Sequence, residues 1–304
     1  MRIISRYTLA FVKGFVSFPK IERIMIAYYS INGKITPAGQ AALRLNDLSI
    51  LRGYGIFDYF LVKSGIPVFL EDYLERFTRS ASLLYLDIPP QIRSMASAIY
   101  EFIHVNWLSD ASIRLVLTGG YADDGYTPQA PNLLIMEHPH PDINPLYYTD
   151  GIALMSYDFQ RELPEVKSIN YLTGIRLLGE LRRMGAQELL YHDRGVLRES
   201  ARSNVFVLTA DNVLVTPADK VLLGVTRKKI LELAAPVVKT EERDITFDEL
   251  LTAKEVYLTS TTKGIMPVVK VDDKPVGNGR PGELAHVLQQ KFLAFTHTYL
   301  EQKK

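Results

Sequence analysis

The chain has 304 residues, 47% of them hydrophobic and 23% charged, with 35 basic and 34 acidic side chains and no cysteine. That balance gives no general attraction to nucleic acid or to an anionic membrane surface. The lack of cysteine excludes a disulfide framework, a thiolate metal site and a cysteine nucleophile, and it suits a reducing cytoplasm. The length is comfortable for two domains of ordinary size.

The first 24 residues, "MRIISRYTLAFVKGFVSFPKIERI", are basic and partly apolar. Lys13 and Gly14 break the apolar run, which is too short to span a bilayer and has no clean small-residue cleavage site. A surface extension, or a start upstream of the true Met25, is expected there rather than a signal peptide. From Ile26 the pattern becomes orderly. "IAYYSINGKITPA" reads as two short strands around Asn32-Gly33, and "IFDYFLVKSGIPVFL" repeats the plan around Ser64-Gly65. "FLEDYLERFTRSASLLYL" then shifts to helical spacing, with Leu74, Phe77, Ala81 and Leu84 on one face. "QIRSMASAIYEFIHVNW" is a second helix, and "SIRLVLTGG" and "NLLIMEH" are strands. Residues 25–137 therefore read as a small α/β domain.

"EHPHPDINPLYY" is proline-rich without periodicity and marks a linker over residues 138–149. Residues 150–304 form a larger domain. It opens with the strand "GIALMSYDF", and residues 167–184 contain a helix ended by Gly185. "AQELLYHD", a turn at Arg194-Gly195, "SNVFVLT", a turn at Asp211-Asn212 and "VLVTP" follow. "TRKKILELA" and residues 282–299 are helices, with the strands "EVYLTS" and "MPVVKV" between them. The fold class expected is mixed α/β (α+β) in two domains, without internal repeats.

Several residues carry possible chemistry. Lys167 stands just ahead of an apolar helix. A lysine there is more often solvated, but burial beside another cation would lower its pKa and make it a nucleophile. Tyr171, four residues on, shares its side if helical geometry already holds. Glu199 leaves a turn before a strand of core character. Gly224-Val225-Thr226 opens an apolar-periodic helix, offering free N–H groups and a hydroxyl. That suits a phosphate, or is a plain threonine cap. "LTSTTKG" sets Thr259, Ser260, Thr261 and Thr262 at a strand end, as anion donors or as turn caps. His138 and His140 lack the further ligands of a zinc site. "TGGYADDGY" lacks a phosphate-loop lysine.

Seven blocks in order, "LRGYGIFDYF", "DYLERFTRSASLL", "IRLVLTGG", "VKSINYL", "RESARSNVFVL", "TP…LLGVTR" and "EVYLTSTTKGIMPV", resemble the class IV aminotransferases, the fold-type IV pyridoxal-phosphate enzymes. The resemblance runs from about Ile26 to the C-terminus. It implies pyridoxal 5'-phosphate as cofactor, Lys167 as its Schiff-base lysine and catalytic acid/base, and Glu199 at the pyridine nitrogen. It also implies Tyr171 at the phenolic oxygen, and Arg76 with Val225, Thr226 and Thr261 around the phosphate. Arg227 would support the turn. The substrates implied are an amino acid and a 2-oxo acid, of the branched-chain or D-amino-acid type, in a homodimer with shared active sites.

The substrate end departs from both patterns. The Arg-x-His pair of bacillus-type D-amino-acid enzymes has no match in "TGGYADDGYTPQAP". Ser112 stands where branched-chain enzymes commonly have tyrosine. Arg52, Arg114 and Arg202 are candidate carboxylate partners, and the departure of Arg52 and Arg202 from the branched-chain pattern points to an unusual carboxylate trap compatible with D-amino acids. Tyr54, Phe57 and Tyr59 could line an aliphatic pocket, and Thr262 joins the substrate candidates. A lyase of the 4-amino-4-deoxychorismate type and a non-catalytic relative are the alternatives.

Overall fold

The computed structural model describes residues 26–90 and 94–304. The expectations for the first 24 residues and for Gln91 to Arg93 lie outside the described residues. β1 (Tyr28–Ile31) and β2 (Lys34–Pro37) form the expected hairpin, with Asn32 at φ 52° and Gly33 at φ 79°. Two successive left-handed residues turn the chain with the twist of its strands, which is why Asn-Gly closes tight hairpins. Ser64-Gly65 acts likewise between β3 (Gly55–Lys63) and β4 (Ile66–Pro67). Between the hairpins lies a short helix that no apolar periodicity announces, α1 (Leu48–Arg52). The Asp47 carboxylate starts it by accepting from the Ser49 N–H at 2.8 Å.

β5 (Ala111–Thr118) and β6 (Leu133–Glu137) complete an antiparallel six-stranded sheet in the order β2-β1-β6-β5-β3-β4. Along β3 the side chains alternate: Ile56, Asp58, Phe60 and Val62 are fully buried, while Phe57, Tyr59 and Leu61 lie half-buried on the other face. α2 (Leu70–Leu83) and α3 (Met95–Val105) cover the buried face, where Phe77, Ile99 and Phe102 pack with Ile113 and Leu117. Cutting an enclosed phenylalanine to alanine costs about 3–5 kcal/mol. Phe77 therefore does much to fix α2, and with it the neighbouring Arg76.

α4 (Leu146–Asp150) closes the proline-rich stretch and leads into a second sheet. Its strands are β7 (Ile152–Asp158), β8 (Glu188–Asp193), β9 (Val196–Leu197), β10 (Asn204–Leu208), β11 (Val213–Thr216), β12 (Lys239–Glu242), β13 (Glu255–Ser260), β14 (Gly264–Val271) and β15 (Lys274–Pro275). Their order is β12-β11-β10-β13-β14-β7-β8-β9, with β15 also against β14. β7 runs parallel to β8 and β14, and β11 to β12; the other pairs are antiparallel. All five residues of β10 are buried. Val205 and Val207 face one cluster with Leu258, while Phe206 and Leu208 face another with Ile230 of α7 (Val225–Ala234). A strand covered on both faces needs no polar alternation. α8 (Phe247–Leu251) and β12 had no legible apolar pattern.

The single helix expected within residues 167–184 is two short ones, α5 (Leu172–Arg176) and α6 (Leu178–Arg183). The preceding residues are not helical, because the opening of β3 captures them. The Phe57 N–H donates to the Lys167 carbonyl at 2.9 Å, and the Ile169 N–H donates to the Gly55 carbonyl at 3.1 Å. α9 (Glu283–Gln302) begins on the second sheet, with Ala285 and Leu288 in its core. It ends on the first lobe, where Phe292, Phe295 and Tyr299 surround Phe69. Among the described residues no helix is long and apolar enough to cross a membrane.

Candidate active site

A cleft brings together residues of both lobes: Arg76, Lys167, Tyr171, Glu199, Arg202, Val225, Thr226 and Thr261, with Arg161 and Thr259 also in its lining. Lys167 is held by its strand-like pairing to β3 and by Ser80 Oγ, which accepts from its N–H at 3.3 Å. Its Nζ stands 4.7 Å from the centre of the Phe57 ring. Burial, helped by the cations Arg76 and Arg161 and opposed by Asp58 and Glu199, lowers its pKa to about 7. A large fraction of the amine is then neutral at neutral pH, the form that acts as nucleophile and base.

Covalent labelling of cofactor-free protein by an amine reagent is therefore expected to turn on at Lys167 near pH 7. Peptide mass analysis of the label against pH checks this, and a midpoint near the ordinary 10.5 would contradict it. Between about pH 7 and 10.5 the unfolded chain keeps the proton that the folded chain has shed, so this group makes stability rise with pH across that window.

Glu199 is fixed through its backbone, whose carbonyl accepts from the Tyr191 N–H of β8 at 2.8 Å. Its Oε2 accepts from the Leu222 N–H at 3.0 Å, whereas Oε1 is buried with no hydrogen-bond partner. Arg161 Nη1 stands 3.6 Å from Oε1, near enough to attract but beyond hydrogen-bond length. Burial raises the carboxyl pKa, against the pull of Arg161 and Lys167. An orphaned buried acceptor costs about 1–3 kcal/mol, and an N–H presented from the cleft would satisfy it. Tyr171 caps the start of α5, edge-on to Phe57 at 5.6 Å. Burial raises its pKa, so its hydroxyl remains a donor.

The other end of the cleft fits an anion. α7 begins at Gly224 with no side-chain cap, so its first N–H groups lack helical partners. A Cβ on Gly224 would meet Asn204 Oδ1 at 2.1 Å, so a larger residue here would displace the Asn204 side chain from the Leu222 carbonyl. Thr259 Oγ1 is buried without a partner. Thr261 Oγ1 shares a 2.8 Å hydrogen bond with the Tyr73 hydroxyl. Arg76 donates to Asp58 twice, from Nε at 3.0 Å and Nη2 at 2.6 Å. Burial works against its charge, but Asp58 outweighs this and raises its pKa. Losing one partner of such a buried pair costs about 3–5 kcal/mol, so Asp58 sets where the Arg76 fork points. A planar ring with an N–H at one end and a phosphate at the other matches this donor and acceptor set.

The substrate candidates divide. Phe57, Tyr59 and Arg114 share the half-buried face of the first sheet, next to the cleft but outside the residues that line it. The Arg114 guanidinium lies 4.9 Å over the Phe57 ring, and its Nε is buried without a partner. Arg114 Nη2 is 3.4 Å from His138 Nε2, and the Tyr59 hydroxyl donates to Ser112 Oγ at 2.5 Å. The Tyr54 hydroxyl donates to the Leu84 carbonyl. Arg202 lines the cleft but donates from Nη2 to Glu188 at 2.9 Å. Arg52 is exposed, its Nη1 donating to the Leu51 carbonyl, and neither it nor Thr262 is in the cleft lining. Arg227 turns away to Glu242 and the Pro217 carbonyl, supporting the turn. Sequence reasoning missed Arg161, Asp58 and Glu188. The Arg161 stretch "FQRELPEVK" carries no local signal, but an acid at an inward position of β3 was itself a sign that Asp58 needs a partner.

The family model for amino-transferase class IV matches residues 55–271. A putative branched-chain-amino-acid aminotransferase of Methanocaldococcus jannaschii is 31% identical over 274 residues, 86% of this chain and 94% of the relative. A D-alanine aminotransferase of Bacillus licheniformis is 27% identical, over 85% of this chain and 93% of its own length. The structure of the branched-chain amino acid aminotransferase from Escherichia coli superposes with a TM-score of 0.79 at 26% identity, covering 88% of this chain and 93% of that one.

Proposed function

The chain belongs to the class IV aminotransferases, which are pyridoxal-phosphate enzymes, and on that premise we propose which of its residues perform the transfer. The observation that carries the assignment is the convergence of Lys167, Glu199 and Arg76 on one cleft, with Glu199 Oε1 left without a donor. Lys167 would hold the cofactor, and its amine, once freed by the substrate amine, would take the proton from the substrate Cα and return it to the cofactor carbon that Lys167 had held. Bound pyridoxal phosphate supplies an electron sink for the pair left on that carbon. Glu199 holds a proton at the ring nitrogen through Oε1. Tyr171 donates to the phenolic oxygen. Arg76, the first N–H groups of α7, Thr226 and Thr261 grip the phosphate, which keeps the ring in register with Lys167.

The substrates are an amino acid and a 2-oxo acid. Arg114, beside the Phe57 ring that Lys167 also faces, is the guanidinium we assign to the substrate carboxylate; Arg202, tied to Glu188, is not needed for that contact. Phe57 and Tyr59 form a wall suited to an aliphatic side chain. Arg202 is what favours D-amino acids: of the two arginines that depart from the branched-chain pattern it is the one that lines the cleft, with its ion pair exposed at its own end, and Arg52 lies outside. Conversion of the cofactor from aldehyde to amine form is expected with D-alanine or D-glutamate. A spectrophotometric screen beside L-leucine and L-valine checks it, and turnover of the L-series alone would overturn the stereochemical assignment.

We also infer a cytoplasmic homodimer. On α5, Leu172 is 72% and Ile175 is 64% exposed, an apolar pair suited to cover by a second copy. Light scattering is expected to give twice 34.4 kDa, falling to that mass in a Leu172→Glu/Ile175→Glu variant. A monomeric wild type would refute it.

A further inference from the structure

Behind the cleft, Glu188 of β8 is 5% exposed and has more cationic partners than its charge requires. Lys263 Nζ donates to its Oε1 at 2.6 Å and Arg202 Nη2 donates to the same oxygen at 2.9 Å, while Ser200 Oγ donates to Oε2 at 3.2 Å. The three charged groups together carry one net positive charge. The two cations are held very differently. Lys263 is pinned: its N–H donates to Ser260 Oγ at 3.4 Å, its carbonyl accepts from the Tyr148 hydroxyl at 2.9 Å, and Nζ also reaches Ser203 Oγ at 3.2 Å. The Lys263 side chain is 13% exposed, that of Arg202 65%. Arg202 rides the tight turn in which the Ser200 N–H donates to the Ser203 carbonyl, and it lines the cleft beside Lys167 and Tyr171.

We propose that Glu188 is a latch for Arg202. With a monocarboxylate partner in the cleft Arg202 stays on Glu188, and with a dicarboxylate partner it swings onto the second carboxylate. Lys263 makes the exchange cheap, because Glu188 keeps a bonded cation when Arg202 leaves and no buried charge is stranded. The ion pair given up is solvent-exposed at its Arg202 end, which weakens it. The one formed joins a guanidinium fork to a carboxylate in a less wet place. Both half-reactions of a transaminase use the same pocket, so a side chain that can withdraw lets an apolar amino acid and a dicarboxylic partner alternate there. Arg202 is the specificity residue, and Glu188 and Lys263 position it. This rests on the reading of the cleft as an amino-acid and oxo-acid site.

The test is calorimetric titration of the holoenzyme with glutarate and, as the monocarboxylate control, butyrate. In Arg202→Met glutarate is expected to bind about tenfold more weakly, while butyrate changes by less than about twofold. Glu188→Gln, which removes the latch charge at constant size, is expected to tighten glutarate, and the gain should vanish in the double variant with Arg202→Met. Equal shifts for both probes in Arg202→Met, or no shift in either, overturn the proposal. A Glu188→Gln gain that survives without Arg202 overturns it too. Arg202 is exposed enough that its variant folds, so that arm decides even if Glu188→Gln does not. Selective loss of glutarate binding in a protein that transfers no amino group would uphold the latch and sink the aminotransfer reading. Intact transfer with an indifferent Arg202→Met would sink the latch alone.

Discussion

With Lys167 replaced by alanine, amino transfer is expected to fall by about four orders of magnitude or more, since one change removes both the covalent anchor and the proton carrier. The geometry explains why no neighbour can substitute. The cations nearest the cleft's reacting end are arginines, which stay protonated and cannot act as bases. Lys263, behind the cleft, is committed to Glu188. Single-turnover absorbance with a reactive amino acid measures the loss. Borohydride reduction followed by peptide mass analysis gives a second readout: the cofactor mass should sit on the Lys167 peptide in the wild type and be absent in the variant. A cofactor adduct on any other lysine would refute the assignment.

Replacing Glu199 is expected to be the next most costly change. In Glu199→Gln the Leu222 N–H can keep its acceptor, so folding should be nearly preserved, but the negative charge opposite the ring nitrogen is gone. Loss of one preorganised electrostatic contact of this kind typically costs about 10²–10³ in rate, and that is the fall in kcat expected here. Glu199→Ala should add a stability loss, because it strips the Leu222 N–H of its partner inside the protein. Comparing kcat with thermal melting separates the two effects. A Glu199→Gln enzyme with wild-type kcat would show that Oε1 has no part in the chemistry.

Local chemistry was the most legible part of the sequence. Asn32-Gly33, Ser64-Gly65 and Arg194-Gly195 each close a hairpin by conformational preferences that depend on no distant residue. Lys167 and Glu199 were legible only through resemblance, since neither differs locally from a solvated residue. The condition set on the Lys167–Tyr171 alignment, helical geometry between them, is not met. Residues 167–169 pair with β3, more than a hundred positions earlier, and no local pattern reports such a partner. Arg161 was invisible for the same reason. Asp58 was not: in "IFDYF" it falls on the same face as Ile56 and Phe60, where a carboxylate survives only beside a cation such as Arg76.

The path of α9 has a mechanical consequence. A rod of 20 residues rooted by Leu288 on one lobe and seated by Phe295 and Tyr299 on the other acts as a splint, so the halves cannot swing apart while its far end stays docked. Heat should therefore melt the protein in a single step, and clipping the tail beyond Gln290 should split that melt into two, one for each lobe.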